Sequence, residues 1–434
     1  MDSSGTTPGL SASTAAVTVP ADGGRSPEVA SRVMSKSAEL LALAQKRLYP
    51  NYKPAPIMVA RGKGCELFDV DGRRWLDLAA GVAVCAVGHA HPKLVAAVSE
   101  QAARVMHVSN YFYNEENVLL ADALCERSGF ARAFFCNSGA EANEAMFKLA
   151  RRHFYAKGDT KRTRFLAFHN AFHGRTMGAV SLTGTPKYRE GFGEVEGVTH
   201  VAYGDLDAVK AELKDDVAAI VVEPVQGEGG VLPAPAGFLE ALRALTTERG
   251  ALLLVDEVQT GIGRTGHWFG FQASGIRPDA ISLAKGLGGG CPIGAMLTTE
   301  ELATALPPGT HGSTFGGNPF ASAAARAVLS IIEEEGLVAG AKTKGERLSA
   351  MLSELARELP GICEGERGMG LLRGLVLKQG FVVRDILPKI AEAGVLLTAA
   401  GERVLRFTPP LVVSEAELAE GVAAVRKVLS TLSR

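Results

Sequence analysis

Short apolar runs alternate with amphipathic stretches through the middle of the 434-residue chain, and this alternation restricts the possible fold more than any other feature. Six runs have the length and composition of buried strands: 133–138, 164–170, 199–203, 218–224, 251–258 and 279–285. Helical stretches lie between them, among them residues 141–153 and a stretch beginning at Phe238 that Gly250 ends. Strands and helices alternating at this spacing predict an α/β fold, with a mostly parallel sheet covered by helices on both faces.

The regular alternation ends near residue 325. A long helical region at 320–358 precedes a strand at 370–377, and Ser414 with Glu417 forms a capping-box pattern before a final helix. We expect a large domain at 86–325, a smaller α+β domain at 326–434, and an N-terminal segment at 36–85 that packs with the small domain. Residues 1–35 are rich in Ser, Thr, Ala, Gly and Pro and lack hydrophobic periodicity, so we expect a disordered leader there.

The composition is that of an ordinary globular protein and disfavours several classes of function. A formal net charge of −1 gives no global attraction to nucleic acid or to a membrane surface. The longest uncharged apolar stretch, 78–88, is too short to span a bilayer. The six cysteines include no C-x-x-C pair and the histidines show no metal-ligand spacing, so we expect neither a disulfide framework nor a metal. These features favour a soluble, cytoplasmic protein with reduced thiols.

A single lysine, Lys285, ends the last of the predicted strands, and four of the next five residues are glycine. Three interpretations compete: a phosphate loop, a lysine that bonds covalently to a ligand, and an ordinary strand exit. A P-loop places its lysine after the glycines, which disfavours the first interpretation. The nearby GIGRTG at 261–266 matches a dinucleotide motif, but it does not lie directly between a strand and a helix. A nicotinamide dehydrogenase is therefore disfavoured as well.

Residues at other strand exits suit the covalent interpretation, because ligands of doubly wound sheets bind beyond the carboxyl ends of the strands. A desolvated lysine has a lowered pKa and can form a Schiff base. Asp256 ends an apolar strand and could keep a pyridinium nitrogen protonated. The segment 138–140 could bind a phosphate at a helix N-terminus, and Phe172 could stack on a ring. Each residue alone also suits a structural role, such as a turn cap, a helix start or loop packing.

Seven motifs together resemble the class III (subgroup II) aminotransferases that use pyridoxal phosphate. They occur in the order typical of that family: NSGAEAN (137–143), FHGRT (172–176), EPVQGEGG (223–230), DEVQTGIGRTG (256–266), LAKGLGGGCPIGA (283–295), STFGGNP (313–319) and RFTPPL (406–411). The resemblance covers roughly residues 40–430. It implies the fold of type I pyridoxal-phosphate enzymes, with a seven-stranded sheet in the large domain, and a homodimer with shared active sites.

The resemblance also implies roles for individual residues. Lys285 would carry the cofactor as a Schiff base and move protons, and Asp256 would bind the pyridine nitrogen. The expected cofactor-binding residues are Ser138, Gly139, Ala140, Phe172, Asp256, Glu257, Val258, Gln259, Lys285 and, from the neighbouring subunit, Thr314. The expected substrate-binding residues are Arg175 with Ser313 for a substrate carboxylate, Arg406 for the α-carboxylate of glutamate or 2-oxoglutarate, and Glu223 to pair with Arg406 when another donor is bound. A guanidinium binds a carboxylate through two parallel hydrogen bonds, although both arginines also suit structural salt bridges.

Within the class, the segments HVSNYFYNEEN (107–117) and GVAVCAVGHAHP (81–92) resemble those of acetylornithine aminotransferases. The resemblance implies transfer of the terminal amino group of N2-acetyl-L-ornithine to 2-oxoglutarate, in arginine biosynthesis. Ornithine aminotransferases place a tyrosine near the position of Val82, and its absence disfavours ornithine itself. Succinylornithine, 4-aminobutyrate or another ω-amino acid remain alternative donors, and a pyridoxal-phosphate aminomutase remains an alternative of another class.

Overall fold

The computed structural model describes residues 36–432, so the predicted leader at 1–35 lies outside the described residues. The described chain separates after Tyr52 into two compact units. The helices, in chain order, are α1 Lys36–Arg47, α2 Ala80–Ala83, α3 Pro92–Arg104, α4 Glu115–Ser128, α5 Gly139–Ala156, α6 Met177–Leu182, α7 Leu206–Glu212, α8 Phe238–Arg249, α9 Glu300–Ala303, α10 Pro319–Glu334, α11 Leu337–Glu358, α12 Val383–Glu392 and α13 Glu415–Ser430. Short 3₁₀ helices occupy Pro186–Tyr188, Gly270–Ser274 and Lys285–Gly288.

The strands belong to the second unit, which begins at Lys53. In chain order they are β1 Val59–Lys63, β2 Glu66–Asp69, β3 Arg74–Asp77, β4 Arg132–Cys136, β5 Arg164–Phe168, β6 Val198–Val201, β7 Val217–Val222, β8 Val225–Gln226, β9 Leu232–Pro233, β10 Leu252–Asp256, β11 Ala280–Leu283, β12 Gly294–Thr298, β13 Cys363–Met369, β14 Leu372–Leu377, β15 Val395–Leu396, β16 Thr398–Ala400 and β17 Val404–Phe407.

The central sheet has the strand order β4-β12-β11-β10-β7-β5-β6. Only β12 is antiparallel to its neighbours β11 and β4, and the remaining pairs are parallel. All six predicted strands are present in this sheet within a few residues of their expected limits. The predicted seven-stranded, mostly parallel α/β fold is therefore confirmed.

Apolar residues fill both faces of the central sheet, because successive side chains of a strand point in opposite directions. In β10, Leu253 and Val255 belong to one buried cluster, whereas Leu252 and Leu254 belong to another. All five residues of this strand are buried. Burial of both faces explains why these strands appear in the sequence as continuous apolar runs.

Two smaller four-stranded sheets accompany the central one. The first has the order β1-β2-β3-β15 and joins strands from the predicted N-terminal segment to β15, near the end of the chain. The second, β13-β14-β17-β16, is antiparallel throughout. Because the chain from Lys53 onward forms one compact unit, the boundaries expected near residues 86 and 326 stay predictions.

Two local expectations are resolved by the cap geometry. The helical region predicted at 320–358 is divided into α10 and α11 at Gly336, which has a φ of 61°. The capping box before α13 is present, since Ser414 and Glu417 satisfy each other's backbone donors. No helix within residues 36–432 is long and apolar enough to cross a membrane.

Candidate active site

The carboxyl ends of the parallel strands meet at one edge of the central sheet, and a cavity of about 440 Å³ lies there. Asp256 ends β10, and Lys285 follows β11 by two residues. Glu223 follows β7, and Phe172 lies four residues beyond β5. All four line the cavity, so the fold brings together side chains that are up to 113 residues apart in the sequence.

Asp256 is buried and held by three donors. Its Oδ1 accepts a hydrogen bond from the backbone N–H of Val258 at 2.9 Å. Its Oδ2 accepts one from Asn143 Nδ2 and lies against His173 Nδ1, each at 2.7 Å. Burial alone would raise the pKa of Asp256, but the hydrogen bond and the charge of His173 hold it below its ordinary value. The cavity therefore contains a carboxylate that stays ionised near neutral pH.

Lys285 is partly buried and has an unusual backbone conformation. Its φ of 41° is in the left-handed region, which is rare for a residue with a side chain and common at functional sites. Burial lowers the pKa of its ammonium group, and the positive charge of Arg406 acts in the same direction. Within residues 36–432 the side chain makes no hydrogen bond or ion pair that would fix it elsewhere.

The N-terminus of α5 also lines the cavity. Ser138 caps the helix by accepting a hydrogen bond from the N–H of Glu141 at 3.2 Å. A methyl group at Gly139 would lie 2.8 Å from Cγ1 of Val258, so only glycine allows the helix to approach the β10 exit this closely. The first N–H groups of a helix attract anions, and Gly139 and Ala140 line the cavity.

An aromatic ring and an arginine, Phe172 and Arg175, also line the cavity. Phe172 meets Tyr188 edge-on, with ring centroids 5.8 Å apart. The guanidinium carbon of Arg175 lies 4.0 Å from the Tyr188 ring centroid and 5.4 Å from that of Phe172. Arg175 is exposed and lines the cavity, so its charge is available to a ligand.

Arg406, on β17, is fully buried and held by four acceptors. It donates to Thr398 Oγ1 at 3.0 Å, to the carbonyl of Gly227 at 3.2 Å and to Gln259 Oε1 at 3.3 Å. Its ion pair is with Glu228. Burial alone would raise the pKa of Glu228. The positive charges of Arg406 and Lys285 lower this pKa by more than burial raises it, so the net shift is downward and the carboxylate is ionised.

The predicted partner of Arg406 differs from the one observed. Glu223 accepts backbone hydrogen bonds from Phe172 at 3.0 Å and Gly227 at 3.1 Å, and it makes none with Arg406. Burial raises the pKa of Glu223 to about 7. Glu228, five residues later in the same motif, is the carboxylate that pairs with Arg406, and it lies in the turn at 227–230 that follows the short strand β8.

The expected contact of Glu257 with the cofactor stays a prediction. Its carboxylate accepts hydrogen bonds from Thr260 Oγ1 and from the backbone N–H groups of Gly270 and Phe271, and the residue does not line the cavity. Side chains alternate at the exit of β10, so Asp256 and Val258 face the cavity and Glu257 faces away.

Thr314, expected to reach the cofactor of a neighbouring subunit, and Ser313, expected beside Arg175 at a substrate carboxylate, do not line the cavity. Thr314 is exposed. Ser313 Oγ lies 3.2 Å from Nδ2 of the cavity residue Asn137 and accepts the N–H of Gly316. Their predicted contacts with substrate or with a neighbouring cofactor stay predictions.

Three residues of the site were not assigned from the sequence: Asn143, His173 and Glu228. Asn143 and His173 lie within quoted motifs, but their contact with Asp256 depends on how α5 and the loop after β5 fold together. Within residues 36–432, no group of three or more His, Cys, Asp or Glu side chains could hold a metal ion.

The arrangement fits pyridoxal phosphate on three observations. The ionised Asp256 can pair with a protonated pyridine nitrogen, Gly139 and Ala140 line the cavity at a helix N-terminus that suits a phosphate, and the amine of Lys285 is not engaged elsewhere among the described residues. Phe172 and Val258 also line the cavity and would provide apolar surfaces for the ring.

Comparisons with known proteins agree with this geometry. The family model "Aminotransferase class-III" matches residues 48–429. An acetylornithine aminotransferase of Myxococcus xanthus is 50% identical over 90% of this chain and 98% of its own. A succinylornithine transaminase/acetylornithine aminotransferase of Pseudomonas aeruginosa is 47% identical over 89% and 96%.

Solved structures show the same fold. The ornithine aminotransferase of Toxoplasma gondii superimposes with a TM-score of 0.89 at 31% identity, covering 92% of this chain and 96% of that one. The N-acetylornithine aminotransferase of Stenotrophomonas maltophilia gives a TM-score of 0.79 at 36% identity, with 91% and 99% covered. The chain belongs to the class-III aminotransferase family.

Proposed function

We propose that this aminotransferase moves the terminal amino group of N2-acetyl-L-ornithine to 2-oxoglutarate, giving N-acetyl-L-glutamate 5-semialdehyde and L-glutamate, in arginine biosynthesis. The observation that carries the donor assignment is the 50% identity to the Myxococcus xanthus acetylornithine aminotransferase over nearly its whole length. The cavity supports it, because Arg175 lines it and Arg406 lies directly behind the lining residue Glu228, with which it is paired.

Pyridoxal 5′-phosphate supplies, when bound, an aldehyde that condenses with amines and a ring that withdraws electrons from the reacting carbon. Gly139 and Ala140 would hold its phosphate, and Asp256 would hold its pyridine nitrogen protonated. His173 and Asn143 act through Asp256, since both contact its Oδ2 and so orient the carboxylate.

Lys285 would hold the cofactor covalently, and its free amine would take up and return the proton at the reacting carbon. Its lowered pKa leaves more of the free amine near neutral pH, and the free amine is the form that accepts a proton. The strained backbone at this residue directs the side chain from the end of β11 into the cavity.

Glu228 and Arg406 allow one cavity to accept two kinds of substrate. With Glu228 paired, the charge of Arg406 is neutralised and a donor without a carboxylate at this position can bind. When the α-carboxylate of 2-oxoglutarate enters, it replaces Glu228 as the partner of Arg406. Arg175 remains for a second carboxylate, such as that of an N-acylated ornithine. Glu223, which is bonded to the backbone, is not needed for this exchange.

The active sites are shared across a homodimer in this proposal. Tyr111, Phe112, Tyr113 and Phe315 form an exposed aromatic surface, each ring at least 60% accessible. Asn110 ties the first three to the 313–316 loop by donating to the carbonyls of Ser313 and Gly316. A second copy that covers this surface would contact the loop carrying Thr314, as the predicted role of that threonine requires.

We also propose a cytoplasmic location. All six cysteines are free, which suits a reducing compartment. Fractionation of the source cells followed by immunodetection would test this location directly.

A donor panel with 2-oxoglutarate as acceptor tests the function. N2-acetyl-L-ornithine should give the highest kcat/KM when compared with ornithine, succinylornithine and 4-aminobutyrate. A better rate with any of the others would refute the donor assignment. Turnover of a donor without 2-oxoglutarate would instead indicate an aminomutase.

Succinylornithine is the second candidate donor. The name of the Pseudomonas aeruginosa relative includes both activities. This relative is 47% identical to the chain, close to the 50% of the Myxococcus xanthus enzyme. Equal kcat/KM values for both acyl donors would assign this chain the same dual activity.

A further inference from the structure

A second cavity, of about 400 Å³, shares no lining residue with the active-site cavity. It lies between the C-terminal half of α5, the segment 159–163 and the segment 306–310. We call it the α5 cavity. Its volume is within the range usual for sites that bind small molecules.

Three cations from one helix face line the α5 cavity: Lys148, Arg151 and Arg152. They are spaced i, i+3 and i+4, so they are neighbours on the surface of α5. Like charges at this spacing repel each other. Such a cluster is normally balanced by carboxylates close by.

Carboxylates do not balance these cations within residues 36–432, where none of the three forms an ion pair. Lys148 Nζ lies 2.8 Å from His311 Nδ1. Arg151 donates to two backbone carbonyls, those of Thr163 at 3.1 Å and Glu196 at 2.7 Å.

Arg152 is the least satisfied of the three. Its Nε is buried without a hydrogen-bond partner among the described residues. Its guanidinium carbon lies 4.9 Å from the Tyr155 ring, an attraction that leaves the N–H groups unused. The one acidic residue of the lining, Asp159, is paired instead with Arg162 at 3.4 Å.

We propose that the α5 cavity binds a small multivalent anion, a phosphate or a di- or tricarboxylate, through Arg152 and Lys148. A guanidinium offers two parallel donors to either kind of anion, and a lysine adds a point charge. Arg151, which is fixed to the backbone, contributes its charge. The small, concave shape favours such an anion over a peptide or a nucleic acid.

Binding is measured by titration calorimetry of the cofactor-loaded enzyme with citrate and, separately, with inorganic phosphate. Loading with cofactor keeps the probe out of the phosphate seat at Gly139. Ionic strength is held constant with sodium chloride, because simple screening would otherwise mimic binding. At least one probe should bind with a 1:1 stoichiometry and a Kd of about 1 mM or below.

Variants locate the site. Arg152→Gln and Lys148→Gln should each weaken binding about tenfold, while Arg347→Gln, the same charge change on α11, should leave the Kd unchanged. Thermal unfolding of each variant checks that it is folded. A preference for phosphate would identify a phosphorylated ligand, and a preference for citrate a carboxylic acid.

Three outcomes would overturn the proposal: no saturable binding of either probe, equal binding in Arg152→Gln, or equal weakening in Arg347→Gln. The second and third would indicate an adventitious ion only. The readout does not depend on turnover, so a wrong assignment of the amino donor would not affect it.

Discussion

At the scale of single residues, the ion pair between Arg406 and Glu228 is the least obvious feature of the site and the most informative. Arg406 is 2% exposed, and removing such a charge from water is costly unless it is paired. Glu228 retains a side-chain exposure of 26%, so it is the partner that can move. The pair can therefore open toward the cavity without unburying the arginine.

Glu228→Gln tests this exchange. Without a competing carboxylate, Arg406 should bind 2-oxoglutarate more readily, so KM for 2-oxoglutarate should fall. The arginine is then no longer neutralised when the donor binds, so kcat/KM for the donor should fall as well. We expect the ratio of the two kcat/KM values to change about tenfold, or 1.4 kcal/mol. Steady-state kinetics of both half-reactions measure it. Glu420→Gln is the control: it breaks an exposed ion pair with Arg74 and should leave the ratio of the two kcat/KM values unchanged. If the ratio also stays unchanged in Glu228→Gln, the proposed exchange is contradicted.

The residue scale also shows where sequence reasoning is reliable. Lys285 and Asp256 could be predicted because a charged residue at the end of an apolar strand must emerge at the sheet edge. The carboxylate of Glu257 accepts hydrogen bonds outside the cavity because alternation reverses the direction of each successive side chain, so its role at the cofactor stays a prediction. Glu223 and Glu228 could not be distinguished, because the turn at 227–230 determines which of the two pairs with Arg406.

At the scale of elements, the close approach of α5 to the exit of β10 places the helix N-terminus at the cavity. Gly139→Ala would bring a methyl group 2.8 Å from Val258 Cγ1, and the contact must displace one of the two elements. We expect cofactor affinity to fall about tenfold, with a small change in stability. Spectroscopic titration of the apoenzyme with pyridoxal phosphate measures the affinity.

Gly361→Ala is the matched control for this change, since a methyl group there would meet nothing within 4 Å. Its cofactor affinity should equal that of the unmodified enzyme. An equal affinity in Gly139→Ala would show that the helix N-terminus does not hold the phosphate.

The element α2 is a left-handed turn, with positive φ at Ala80, Gly81, Val82 and Ala83. Such a turn is costly for residues with side chains. Asp77 stabilises it by accepting hydrogen bonds from the backbone N–H groups of Ala79 and Ala80, each at 2.9 Å. The other oxygen of Asp77 lies 2.7 Å from His89 Nε2.

This arrangement predicts a pH dependence of stability. The hydrogen bond with Asp77, followed by the one with Cys85, raises the pKa of His89 to about 9. Because its pKa is raised in the folded protein, protonated His89 stabilises the fold. This stabilisation is complete below the pKa of histidine in the unfolded chain, about 6.5, and is lost as the pH rises through the folded-state pKa of about 9. The contribution is at most about 3 kcal/mol.

Urea unfolding at several pH values measures this effect in the unmodified protein and in His89→Gln. The free energy of unfolding should fall more steeply from pH 6.5 to 9.5 in the unmodified protein. Parallel curves for the two proteins would contradict the assignment. Three of the four residues of this turn are not glycine, so its sequence does not predict a left-handed conformation. The hydrogen bonds that Asp77 accepts from the turn stabilise that conformation instead.

At the scale of the whole molecule, the exposed aromatic surface indicates how the chain associates. Tyr113 is 97% accessible, and aromatic residues dominate the energetics of stable interfaces. Tyr113→Glu should convert the proposed dimer to monomer and reduce activity at least tenfold, because Thr314 would no longer reach a neighbouring site. Light scattering and turnover are measured on the same sample.

Phe192→Glu is the control, since Phe192 is also exposed but lies outside the aromatic surface. It should remain dimeric and active. A dimeric, fully active Tyr113→Glu would remove the support for shared active sites.

The fold class could be predicted from the sequence because buried parallel strands leave a strong, local apolar signal. The domain boundaries could not, because β3 pairs with β15 across more than 300 residues and no local pattern encodes that contact. The α5 cavity was also invisible, since it depends on segments that meet only in the folded protein.

The central claim is that Lys285 holds the cofactor covalently, and borohydride reduction of the cofactor-loaded enzyme tests it most directly. The visible absorption of the enzyme should disappear on reduction, and mass spectrometry of the digested protein should find the pyridoxyl group on Lys285. Lys285→Ala should remain folded, lack this label and lose turnover. A label on another lysine, or no label in folded, cofactor-supplied enzyme, would contradict the account.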